Sequence, residues 1–162
     1  MLFVTISHIL LSLFLVFYAF IFRPSKYDYL IIFIIFTKVL SWTLYKGECP
    51  LSYYLKKYND PSYKIGSNLY SDDMYVLFGK KNIPFFKNFF NIINPILETI
   101  IIYLLLKRQK FSTIETYLYP ILFYGYYYIS FLQSSTINSF FTVVFAYVLY
   151  RIVKQSKLLI FI

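Results

Sequence analysis

Acidic side chains are scarce in this 162-residue chain, seven against sixteen Lys and Arg, and cysteine and histidine occur once each. A single cysteine, Cys49, excludes an internal disulfide and leaves the redox compartment unread. A single histidine, His8, excludes a multi-histidine metal site and denies any imidazole-based catalytic pair a second ring. The chain also has no glycine-rich phosphate loop, no helical His-Glu-x-x-His pattern and no Gly-x-Ser-x-Gly elbow. Together these absences predict a protein that is not an enzyme and uses neither metal nor cofactor. Charged residues make up 14% of the chain, well below the quarter typical of soluble domains.

Apolar residues fill the space, at 59%, and they fall in long runs. A helix needs about 20 mostly apolar residues to cross about 30 Å of hydrocarbon. Runs near that length lie at about 2–22, 29–45, 84–106, 114–132 and 137–153, so the expected fold is all-α. The expectation is one polytopic integral membrane domain over 1–162, a bundle of about five transmembrane helices, with four as the alternative. Arg23, Pro24 and Lys26 stop the first run, which lacks the charged start and small-x-small site of a cleaved signal peptide. The cations sit mostly at run ends, as membrane-flanking residues do, and form no continuous patch for nucleic acid. Tyr and Phe, 19 residues each, together with just two alanines, Ala19 and Ala146, fit an AT-rich gene.

The stretch 46–82 is the one substantial polar segment and is expected to be an extramembrane loop. Pro50 suits the first turn of a short helix over Leu51 to Tyr58, ended by Asn59, Asp60 and Pro61. Adjacent Asp72 and Asp73 read as hydrated loop residues. Tight clusters of Lys and Arg, including Arg23, Lys107, Arg108 and Arg151, place one set of span ends in the cytoplasm and the polar loop on the opposite face.

Lys38 lies inside the second run, where an ionised side chain costs about 2.5–3.5 kcal/mol unless paired or hydrated. Lys87, Asn91, Asn94 and Glu98 recur at spacings of four, three and four, one polar stripe on the third run. Glu98 is therefore the expected counter-ion of Lys38. The two meet only if the third run enters the membrane near Ile92, because Lys38 lies roughly 10 Å below the loop-side surface at about 1.5 Å per residue. Such a pair either fixes helix packing, the common role of polar groups in lipid, or forms a polar track for a proton, ion or headgroup. Tyr124, Tyr126, Tyr127 and Tyr128 read as ordinary packing aromatics, with a lipid or quinone site as the alternative.

The segment Trp42, Lys46-Gly47-Glu48-Cys49-Pro50-Leu51-Ser52-Tyr53, Lys56-Lys57, Asp60-Pro61, Tyr63-Lys64 and Gly66 resembles one in small multi-span membrane proteins of nucleocytoplasmic large DNA viruses. In those proteins a Glu-Cys motif follows a Trp-bearing helix and precedes a basic one. A Cys-Pro-Leu-Ser turn after a second span is also similar to one in small bacterial membrane proteins. The resemblance covers about 41–66 and implies a membrane setting, a viral inner membrane or envelope, with an organellar membrane as the alternative. It brings no catalytic residue.

The expected role is structural or in assembly. The partners would be membrane lipids and other membrane or capsid-type proteins, with Lys56 and Lys57 presented to acidic lipid or an acidic surface. The rivals are a small transporter or channel using Lys38 and Glu98, an accessory subunit of a respiratory complex, and a lipid-modifying enzyme using Cys49.

Overall fold

The computed structural model describes residues 2–67, 92–130 and 135–156. Six helices account for most of them: α1 (Leu2–Ile21), α2 (Tyr27–Leu44), α3 (Pro50–Asn59), α4 (Asn94–Arg108), α5 (Thr113–Ser130) and α6 (Ser135–Ser156). No strand occurs among the described residues.

Local chemistry explains where the helices start and stop. Pro50 opens α3 behind an extended Cys49, and a proline also falls in the first turn of α4. Residues 92–93, just before Asn94 and Pro95, are π-helical, so the chain is already helical where Pro95 falls. The earlier part of the third apolar run, 84–91, lies outside the described residues. Ser112 and Glu115 form a reciprocal capping box at α5: Ser112 Oγ accepts from the Glu115 N–H at 3.3 Å, and Glu115 Oε2 accepts from the Ser112 N–H at 3.2 Å.

The ends of α2 and α4 share one device. Gly47 N donates to Trp42 O at 2.7 Å, and Phe111 N donates to Leu106 O at 3.1 Å. Each wrap passes through a lysine in the left-handed region, Lys46 at φ 53° and Lys110 at φ 55°. Glycine is the usual occupant, so both lysines hold conformations that their Cβ atoms disfavour.

Contacts fix the direction of every long helix. Tyr29 at the start of α2 donates to Gln109 O after α4, Thr142 in α6 donates to Thr43 near the end of α2, and Tyr126 in α5 donates to Asn138 in α6. Arg108 at the end of α4 donates to Ala19 O and Phe22 O at the end of α1. Helices α2, α4, α5 and α6 close a ring, each packed on two others, and α1 docks on α4 parallel to it. Ile32, Ile35, Phe36, Ile101, Leu105, Phe123, Tyr126 and Phe145 fill the ring, all of them fully buried.

The outer faces are apolar as well: Phe17, Phe20 and Ile21 on α1, Ile121 on α5, and Val143 and Tyr147 on α6 are exposed. Two helices, α2 and α6, are long and apolar enough to cross a membrane, and the apolar helix Ile6–Ile21 is shorter. The five-span expectation exceeds this count for identifiable reasons. Helix α4 is described for 15 residues only, and α5 is diluted by Glu115, Pro120, Gly125 and its tyrosines.

Candidate functional site

The polar stripe on α4 meets α2 as the spacing demands. Lys38 Nζ lies 2.5 Å from Glu98 Oε1, which also accepts from Asn94 Nδ2 at 3.2 Å. The Lys38 ammonium stands 5.0 Å from the Trp42 ring centroid, and Trp42 packs edge-on to Tyr127 at 5.9 Å. The acid is almost fully buried and the lysine side chain keeps 21% exposure, so charge neutralisation here carries most of the stabilisation of a buried carboxylate. The cluster is not saturated: Glu98 Oε2 and Trp42 Nε1 are buried without a hydrogen-bond partner. Asn91, expected on the same stripe, lies outside the described residues.

A second acid–lysine pair organises the loop. Glu48 is fully buried; its Oε1 accepts from Lys56 Nζ at 2.8 Å and Tyr63 Oη at 2.9 Å, and its Oε2 accepts from Gly66 N at 3.0 Å. Lys56 also lies 5.4 Å from the Tyr63 ring centroid. The expectation that Lys56 faces a partner or acidic lipid is therefore overturned. Lys56 sits eight residues from Glu48, and the turn after α2 folds the acid back onto α3, where an unpaired buried carboxylate would be costly. Lys57, the other half of that expectation, is exposed and donates to Pro61 O at 2.5 Å and Tyr63 O at 3.2 Å, closing the end of α3. Exposed Leu51, Tyr54 and Tyr58 form the outward stripe of α3 instead.

The lone cysteine and lone histidine, 41 residues apart, come together: Cys49 Sγ lies 3.9 Å from His8 Nε2. Burial alone would raise the Cys49 thiol. The His8 contact and charge, with the Ser52 and Leu51 N–H groups at the start of α3, outweigh it and hold the thiol below its ordinary value. Pro50 fixes the turn that presents those N–H groups. No cluster of three metal-ligating side chains occurs among the described residues.

The opposite end of the bundle carries ties that sequence reasoning missed. Asp28, fully buried, accepts from Tyr18 Oη at 3.1 Å and Gln109 Nε2 at 2.9 Å. Arg108 caps the carbonyls that end α1, favoured there by the helix dipole. Glu115 pairs with Arg151 at 2.6 Å and accepts from Tyr119 Oη at 3.1 Å, joining α5 to α6. The signal for the last was present: Glu115, a lone acid in an apolar run, needs a cation as Lys38 needs an acid.

No protein-family model matches this chain, no curated protein is similar to it, and no solved structure matches its fold.

Proposed function

We propose that this chain is a five-span integral membrane protein, not an enzyme, with a structural or assembly role in a viral or organellar membrane. The observation that carries the reading is the use made of buried charge. Lys38–Glu98, Glu48–Lys56, Glu115–Arg151 and the Asp28–Gln109 contact each tie separate segments together, within a bundle whose outer surface is apolar. Polar side chains spent as ties between helices are what a lipid-embedded bundle needs, since lipid supplies no hydrophobic drive for helix association. In this reading α1, α2, α4, α5 and α6 alternate in direction across the membrane, with the α3 loop on the non-cytoplasmic side. The partner-facing surface is the stripe of Leu51, Tyr54 and Tyr58, amphipathic side chains suited to an interface.

A second reading, a small transporter or channel, is favoured by one observation: Glu98 Oε2 and Trp42 Nε1 lack partners. Double replacement separates the two. Exchanging both Lys38 and Glu98 for Met removes the charge without stranding either partner, which buried pairs commonly tolerate. A structural bundle keeps its melting midpoint and its co-purifying partners in that variant. Loss of ion or solute flux in reconstituted vesicles, with the fold intact, would establish the transporter instead.

A further inference from the structure

Between the end of α2, the loop and the start of α6 lies an open groove of about 680 Å³. It is lined by Thr43, Lys46, Ser67, Asn138, Ser139 and Thr142 among others. Four of its side chains, Ser135, Asn138, Ser139 and Thr142, occupy positions i, i+3, i+4 and i+7 of α6, one face of that helix. Part of this stripe is accounted for by packing. Thr142 Oγ1 donates to Thr43 Oγ1 at 2.7 Å, and Asn138 Oδ1 accepts from Tyr126 Oη at 3.2 Å.

The remainder is not. Asn138 keeps only 6% exposure, and its Nδ2 is buried without an acceptor. With Oδ1 taken by Tyr126, Nδ2 is an unspent donor behind the groove wall, closed to solvent. The Lys46 ammonium and the hydroxyls of Ser135 and Ser139 make no hydrogen bond or ion pair among the described residues. No carboxylate lines the groove, and the nearby Glu48 is consumed by Lys56, Tyr63 and the Gly66 N–H. The wall therefore offers a cation and two hydroxyls with no competing anion. An acceptor-rich anion is the chemistry that satisfies them, and a phosphate carries several strong acceptor oxygens.

We propose that this groove binds a phosphate-bearing anion, held by Lys46 Nζ and the Ser135 and Ser139 hydroxyls. The membrane reading bears only on the source: a groove at the loop-side rim of a spanning bundle lies at headgroup height, whereas free phosphate reaches it in either setting.

The test uses the full chain in a maltoside detergent and phosphate-free buffer, with the melting midpoint followed by Trp42 fluorescence. The probes are inorganic phosphate, phosphatidylglycerol in the micelle, and diacylglycerol as the phosphate-free control. The midpoint rises with phosphatidylglycerol and not with diacylglycerol; a matching response to inorganic phosphate makes the free anion sufficient, and its absence assigns the lipid headgroup. Lys46→Gln and Ser139→Ala, both at exposed positions, each weaken the apparent affinity about ten-fold, the effect of losing one hydrogen bond to a charged group. Lys46→Arg retains binding. No response to either phosphate probe, or parent-like binding in both weakened variants, overturns the proposal. Release of the chain from membranes by alkaline carbonate would sink the membrane reading by itself, leaving the inorganic phosphate titration to decide the site.

Discussion

Among the described residues two buried acid–lysine pairs occur, and they are finished differently. In the loop, both oxygens of Glu48 are occupied, by Lys56, Tyr63 and the Gly66 N–H, and the residues involved lie within 18 positions of one another. Between α2 and α4, Glu98 reaches across 60 positions to Lys38, and one of its oxygens has no partner. The first pair is a local keystone that a short polar segment folds around. The second is a long-range tie with unspent capacity, made between helices whose apolar faces already pack. Saturation therefore marks where a buried charge builds the fold, and incomplete saturation marks where it only registers one helix against another.

The comparison breaks most readily at Glu48. Glu48→Ala strands Lys56 in a buried site and leaves the Gly66 N–H without its acceptor, for an expected loss of about 3–5 kcal/mol, the cost of breaking a buried pair. Tryptic cleavage after Lys56 and Lys57 reads it directly; a loop as resistant as the parent's would remove Glu48 from its central place. Gly66 adds to the same keystone, since at φ +80° a side chain there would bring its Cβ to 3.1 Å from Lys46 Cβ.

Glu98→Gln is expected to cost less, about 1–3 kcal/mol, because the amide still accepts one hydrogen bond and Lys38 retains exposure through which to reach water or the interface. Thermal melting of the detergent-solubilised chain measures it. A loss equal to that of Glu48→Ala would erase the distinction between keystone and tie.

The smallest effect sharpens the picture at the junction of loop and α1. Cys49 is held below its ordinary thiol value, so its thiolate contributes stability that is present above the unfolded thiol's range and lost as pH falls through the lowered folded value. Alkylation by iodoacetamide should persist at pH values where a free thiol is mostly protonated, and His8→Gln should move the inflection upward. An inflection at the free-thiol position in both proteins would dissolve the pair.

Much of this was legible in the residues, and the reasons differ by scale. Stripes at helical spacing are local, so Asn94 and Glu98 were placeable on one face, and the need of Lys38 for an acid followed from the cost of a bare charge in oil. The same logic applied to Ser135, Asn138, Ser139 and Thr142 would have found the groove wall, but neutral polar residues raise no alarm in a sequence. Lys56 was misplaced because its helix alone leaves a basic residue pointing anywhere; the acid that draws it inward lies across a turn. Asp28 was visible near a helix start, yet Gln109 and Tyr18 had to be brought to it by α4 and α1.

By itself the sequence determined the helical character of the chain, the apolar runs of which two form helices long enough to cross a membrane, and the capping that starts and stops its helices, since hydropathy and backbone capping act between residues a few positions apart. Tertiary structure decided which charges pair, that Cys49 meets His8, and that Lys56 turns inward. Those outcomes depend on the depth at which one helix crosses another, a quantity set by packing between segments and written in no single one of them.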